Sequence, residues 1–446
     1  MSGERRFLSQ ATVRFATIGL LILAMLIPLA LVEDVSSERQ AFYRQTQDSV
    51  ARSWGLAQAL AGPFIVVAET RRDGVEIIDG EERTALQRGH RVLLPETLTM
   101  NVELTHSVRR RAIYEVPVYT ASIRLSGRFP AFPDSLRRDA EASFGGASFV
   151  LGLTDTRALV RVSEMQFGDE PVALSGGTGQ PWLGRGLKAA LPAAALASPQ
   201  SFTLDLELKG TEALAFTLLG ASTEVQMTAS WPHPSFRGDT LPDSYELRED
   251  GFEASWTRYE LARELPAHWF QGVGAASPLS GAEAAVQLFQ PFASYRTVDR
   301  AIKYGILFIS LTYLTFLCFE LVLGLRFHPV QYGVVGAALV LFYLTLLSLS
   351  EHLPFALAYG LATALLSAAI GGYVQSMTAS KVLTGTVLGI MGLLYGTLFV
   401  LLKLEAFALL AGTGVLFLGL LALMFSTRSM TTLNPAVDVR QDPGDR

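Results

Sequence analysis

The strongest constraint on this chain lies between Tyr304 and Phe425, where apolar runs are separated only by short polar breaks. Five segments emerge: Tyr304–Leu325, Val330–Ser350, Phe355–Tyr373, Val382–Leu402 and Ala406–Phe425. Each is about 20 residues long, which at about 1.5 Å of rise per residue crosses a hydrocarbon core of about 30 Å. Lipid offers no partner for a peptide N–H or C=O, so these segments are predicted as helices. A further apolar run, residues 15–32, follows Arg5, Arg6 and Arg14 and is stopped by Glu33 and Asp34. It is too long for a signal-peptide core and no small-x-small site follows it. It therefore reads as a retained helix and not as a cleaved leader.

Basic flanks set the expected orientation. Arg5, Arg6 and Arg14 place the N-terminus in the cytoplasm, and Arg326, Lys381 and Arg428 fall on the same side if every apolar run spans. Only Lys403 opposes the bias. The expected architecture is an integral membrane α-helical bundle of six transmembrane helices with both termini cytoplasmic. Residues 1–14 and the tail 426–446 would lie inside. Residues 33–300 would form one large β-rich (α+β) domain between helices one and two, periplasmic in a bacterium with an outer membrane. The tail from Thr431 to Arg446 is polar and reads as disordered.

Within that insert the periodicity changes. Ser36–Leu60 has helical spacing and is expected to continue the first helix until Gly62–Pro63 ends it. Phe64–Ala68 then opens the first strand. Tyr119–Ser126, Phe202–Lys209 and Glu224–Ala229 alternate apolar and polar residues, as half-buried antiparallel strands do. Gly127, Gly210, Gly220 and Gly238 are read as turns, and Gly176–Gly179 and Leu187–Ala197 as connections. A β-sandwich of one or two lobes is predicted.

Charge and cysteine content exclude several functions. The net charge is −5 and only 17% of residues are charged, below the roughly 25% of soluble domains. Nothing in that balance favours nucleic acid as a partner. The one cysteine, Cys318, rules out an intrachain disulfide framework and any CxxC motif.

The candidate functional residues are the polar ones in the apolar region: Glu320, His328, Glu351 and His352. Glu351-His352 can be read as a proton-handling or ligand-binding pair, or as an interfacial turn that Pro354 closes; the turn is favoured. Glu320 should face the bundle interior, because a carboxylate in mid-helix costs about 2.5 to 3.5 kcal/mol on the insertion scale. Pairing with Arg326 or His328 is the expected resolution, and a transport carboxylate the competing one. A shared zinc site is excluded, since His328 and Glu351 lie about 35 Å apart along one helix. No metal or cofactor is expected. Ser348 and Ser350 near His352 suggest an intramembrane hydrolase only weakly, for no Gly-x-Ser-x-Gly elbow is present. Trp231-Pro232-His233-Pro234 fits a rigid strand-end loop. Trp182, Trp256 and Trp269 could stack on glycan, but core packing is the commoner use of such residues.

Several of these patterns together resemble the CreD family of bacterial inner-membrane proteins. They are Trp54-Gly55 with Gln58 and Gly62-Pro63, Arg111 through Tyr119, Ser230 through Phe236 with Gly238, and Gly251-Phe252 before Trp256. In the membrane part they are Lys303-Tyr304, Phe319-Glu320, His328-Pro329 with Gln331-Tyr332, the LLSLSEH run Leu346–His352, and Tyr395 through Leu410. Leu353-Pro354 and Glu405-Ala406 depart from the family pattern. The resemblance implies a role in cell-envelope integrity, tolerance to colicins, and expression under a two-component system responding to carbon source and cell-wall stress. It supplies no catalytic or binding residue. The reading is a non-enzymatic protein of envelope-stress adaptation, acting through a protein, lipid or cell-wall partner of its periplasmic domain. A transporter or lipid-handling protein using Glu320 and Glu351/His352 is the alternative, and a hydrolase a weaker one.

Overall fold

A computed structural model describes residues 2–78, 81–111, 114–262, 265–276, 279, 282–288, 294–323, 327–404 and 408–427. The chain divides into two compact units, Met1–Phe42 with Phe292–Arg446, and Tyr43–Pro291. Helix α1 (Ser2–Trp54) contributes to both.

The first unit is helical. After α1 come a short helix α2 (Asp134–Arg137, in the other unit), then α3 (Ser294–Lys303), α4 (Gly305–Leu323), α5 (Pro329–Ser350), α6 (Phe355–Thr378), α7 (Lys381–Lys403) and α8 (Ala408–Thr427). Local chemistry fixes the ends. His328 caps α5, its Nδ1 accepting from the Val330 N–H at 3.3 Å while Gln331 Oε1 accepts from the His328 N–H at 2.8 Å. Pro354 precedes α6 and Ser380 Oγ accepts from the Leu383 N–H ahead of α7.

The expected six spans are only partly matched. Among the described residues four helices are long and apolar enough to cross a membrane: the segment Ala16–Trp54, α5, α6 and α7. A fifth is obtained if Tyr295–Lys303 and Gly305–Leu317, bent by 45°, count as one. The break falls at Tyr304, next to Gly305, where an added Cβ would crowd the Leu29 and Tyr343 side chains. The expected sixth, Ala406–Phe425, appears as α8, but its apolar stretch Gly412–Leu421 is shorter, and Glu405 and Ala406 lie outside the described residues.

Most of the described tyrosines of this unit pack inside, while its leucines divide between the inner and outer faces. On α5, Phe342, Tyr343 and Leu346 are buried while Leu341 and Leu344 are exposed. Lipid does not drive leucines together, so close packing and hydrogen bonds choose the inner face.

The second unit is a sandwich of two nine-stranded sheets among the described residues. The first runs Pro234–Gly238, Glu283–Leu288, Ala213–Thr217, Gln58–Ile78, Ala142–Leu153, Gly186–Leu191 and Ser175–Gly176 in spatial order; Glu81–Leu93 pairs with Gln58–Ile78, and His268–Gly272 with Glu81–Leu93. The second runs Ser244–Arg248, Gly251–Tyr259, Ser222–Ala229, Thr97–Arg111, Tyr114–Phe129, Gln200–Thr211, Met165–Phe167 and Glu170–Val172, with Leu159–Val162 on Gln200–Thr211. Their inner faces share a core that includes Ile65, Phe149, Phe216, Leu125, Leu206 and Trp256. The alternating segments are strands, as predicted.

Four local expectations are corrected. The first helix ends at Trp54, and Gly62–Pro63 sits inside the first strand at a register shift between Ala61 and Phe64. Gly127 and Gly210 lie within strands, because close neighbours exclude a side chain there: a Cβ would overlap the Thr97 carbonyl at the first and the Tyr119 ring at the second. Leu187–Leu191 is strand, with a 3-10 turn at Ala193–Leu196. The first strand has no alternation, since Phe64, Ile65, Val66 and Val67 are all buried. Val66 and Phe64 meet a second small core with Val92, Leu219 and the half-buried Trp182 and Trp269. Trp256 is fully buried, and Trp231 is buried with its Nε1 donating to the His233 carbonyl. The tail after residue 427 lies outside the described residues.

Gly127→Ala is expected to destabilise the sandwich by about 1–3 kcal/mol through overpacking against the paired strand. Denaturant unfolding followed by tryptophan fluorescence measures this, and an unchanged midpoint would contradict the close approach.

Candidate functional site

Each polar residue singled out in the helical unit has a definite structural position. His328 is exposed and serves as the α5 cap. His352 is exposed, in the turn between α5 and α6. Glu351 ends α5; its Oε1 accepts from the Tyr295 hydroxyl at 3.2 Å and lies 3.8 Å from Arg39 Nε. The carboxylate therefore ties α1, α3 and α5 together. His328 and Glu351 stand at opposite ends of α5, and no group of three metal-ligating side chains occurs among the described residues.

Glu320 is buried, with 4% of its surface exposed. The Tyr332 hydroxyl donates to its Oε2 at 3.0 Å, and the Tyr313 hydroxyl donates to the Tyr332 carbonyl at 2.8 Å. The resulting chain joins α4 to the first turn of α5. Gly336 makes it possible, for a Cβ there would overlap the Tyr313 oxygen. Arg326, one expected partner, lies outside the described residues, and His328 is engaged in capping. Sequence reading missed Tyr313, Tyr332 and Gly336. Tyrosine in an apolar run has no periodic signature, and only a small residue four places after Tyr332 hinted at a close crossing.

The hydrolase geometry does not form among the described residues. Ser350 is buried and donates to the Leu347 carbonyl at 2.8 Å, while Ser348 is exposed, and neither is bonded to His352.

In the sandwich the outer face of the second sheet forms an open groove of about 650 Å³. Register builds it from two rows across four strands: Gln226, Asn101, Arg124 and Asp205, then Thr228, Glu103, Ser122 and Glu207. At about 4.8 Å between strands the rows span roughly 14 Å. Arg124 donates from Nε to Asp205 Oδ1 at 2.6 Å, and Arg161 reaches Glu207 at 3.4 Å from the short strand alongside. Both pairs are solvent-exposed enough that they shape the surface more than they stabilise the fold.

A buried ion pair in the first sheet was also not foreseen. Arg91 donates from Nε and Nη2 to the two Glu69 oxygens at 2.8 Å each, and both residues are buried. Losing one partner would leave a charge in a low-dielectric interior, which explains the bidentate geometry better than net stabilisation does. Burial, with the Arg91 charge beside it, pulls the His268 imidazole below its ordinary value, Glu69 opposing. Burial lowers His90 likewise.

The family model described as Inner membrane protein CreD matches residues 10–431. The chain belongs to the CreD family. The Inner membrane protein CreD of Escherichia coli is 31% identical over 417 residues, covering 92% of this chain and 91% of that protein. The family resemblance drawn from the LLSLSEH and His-Pro-x-Gln-Tyr segments is thus borne out, and this is an inner-membrane protein with several apolar helices and a large β-rich unit. Among solved structures, an M1 zinc metallopeptidase from Deinococcus radiodurans aligns at 11% identity with a TM-score of 0.18, covering 45% of this chain and 43% of that one. Leukotriene A4 hydrolase from Saccharomyces cerevisiae aligns at 9% identity with a TM-score of 0.21, covering 48% and 34%. Such slight likeness bears on neither fold nor chemistry.

The lowered imidazoles set a pH dependence. Below about 6.5 the unfolded chain takes up protons that folded His90 and His268 resist, so stability is present above that pH and lost as pH falls through it. Unfolding free energies measured between about pH 5 and 8 should fall toward acid, and His268→Gln should flatten the slope. An unaltered slope in that variant would remove His268 from the account.

Proposed function

We propose that this CreD-family protein maintains the cell envelope under stress by non-covalent interaction and not by catalysis. In this reading residues 15–32 and the five apolar segments from Tyr304 to Phe425 make six spans with both termini cytoplasmic. The β-rich unit then stands in the periplasm, where it meets a protein, lipid or cell-wall partner.

The observation that carries the interaction reading is the groove on the second sheet. Its two rows of amide, hydroxyl, carboxylate and guanidinium groups offer many hydrogen bonds, which suits a partner rich in polar groups. The polar residues of the helical unit lend support from the other side. His328 caps a helix and Glu351 clasps three, so neither needs a further role to explain its presence.

Ser122→Tyr fills the groove with a residue that strands accept well. At matched membrane levels this variant should lose most of the tolerance to envelope stress that the native chain restores to a deletion strain. Full tolerance would sink the groove as the contact surface. Reporter fusions after Phe42 and after Arg428 test the topology. The first should score periplasmic and the second cytoplasmic, and the reverse for either would overturn the six-span arrangement.

A transport or lipid-handling role is the second reading, favoured by one observation: a buried carboxylate, Glu320, held by a tyrosine hydroxyl within an apolar helix. Glu320→Gln keeps that hydrogen bond and removes the charge. Loss of stress tolerance in this variant, with Ser122→Tyr unaffected, would move the function into the bundle.

A further inference from the structure

Helix α3 sorts its residues by face. Val298 and Ala301 are 0% exposed and Ile302 1%, and all three join the core of the helical unit. Arg296, Arg300 and Lys303 recur at i, i+4 and i+7. At about 100° per residue these three lie within about 60° of one another, opposite the buried face. Arg296 and Lys303 are exposed and Arg300 is half-buried. The basic stripe therefore points away from the other helices.

Its depth follows from α4. That helix begins at Gly305 and runs 19 residues, of which Glu320 alone is charged. At about 28 Å it nearly matches a hydrocarbon core of about 30 Å, so α3 begins where the apolar layer ends. The two helices are bent by 45°. From Lys303 to Arg296 is about 10 Å along α3, which at that bend rises about 7 Å along the α4 axis. The headgroup layer on one side of a bilayer is about 5–8 Å deep. The stripe matches that layer in height.

Local carboxylates do not cancel its charge. Lys303 is 2.8 Å from Asp299 and within electrostatic reach of Glu33, but Arg296 has no ion pair among the described residues. Glu351, which bonds Tyr295 of the same helix, lies beside Arg39. Outward-facing guanidinium and ammonium groups complement phosphate, guanidinium through paired N–H donors. We infer that the α3 stripe is a docking site for the headgroup phosphate of anionic phospholipids. A lipid fits better than an acidic protein because the cations are spread through the depth of the headgroup layer.

The full-length protein in a neutral detergent tests this. It is incubated with equal amounts of phosphatidylglycerol and phosphatidylcholine of the same acyl chains, and native mass spectrometry counts the lipids retained. The native protein should prefer phosphatidylglycerol, and Arg296→Gln with Lys303→Gln should cut that preference about fivefold or more, roughly the effect of one cation beside an anionic surface. The charge-preserving pair Arg296→Lys with Lys303→Arg should keep it. An unchanged preference in the glutamine variant would overturn the site. Equal retention of both lipids by the native protein would do the same and leave the stripe to an acidic protein. If the glutamine variant loses its thermal midpoint together with the lipid, the charge-preserving pair decides: a kept preference supports the site, and a lost one refutes it.

Discussion

In lipid a peptide group has no water to turn to, and the helical unit is organised around that demand. Every helix must satisfy its own backbone along its length and find partners at its ends. The ends account for much of the polar sequence there: His328 with Gln331 ahead of α5, Pro354 ahead of α6, and Ser380 ahead of α7. Glu351 adds a clasp at the far end of α5, where Arg39 and Tyr295 converge on it. Residues that look like a site in the sequence are in large part the means by which apolar helices begin, end and stay together.

The sandwich obeys the opposite solvent rule. Water rewards burial of apolar area, so the two sheets bury one face each against a common core. The first sheet goes further and covers its other face at the centre with Trp182 and Trp269. The second leaves its outer face wet, and register then brings Asn101, Arg124, Asp205 and Gln226 into one row. The groove is thus a consequence of which sheet stayed half-covered.

Legibility in the sequence followed the same division. Phe202–Lys209 and Glu224–Ala229 could be read at once because one face is wet, and alternation records that. The strand through Phe64–Val67 carried no such record, being covered on both sides, and its true start at Gln58 was invisible. Gly127 and Gly210 looked like turns because glycine marks both a bend and a close approach, and only the neighbouring strand tells which. Among the candidate residues, the burial of Glu320 was foreseen from its cost in lipid, whereas its partner Tyr332 was not.

By itself the sequence determined the family, the apolar helices and the β-rich insert, because hydropathy and alternation are local and each run carries its own evidence. Tertiary structure alone decided the rest. It bent α3 against α4 at Tyr304, joined Glu69 to Arg91 across two strands, and brought Tyr313, Tyr332 and Glu320 into one chain of hydrogen bonds. These are meetings between residues distant in sequence, and their energies depend on packing that no single segment encodes.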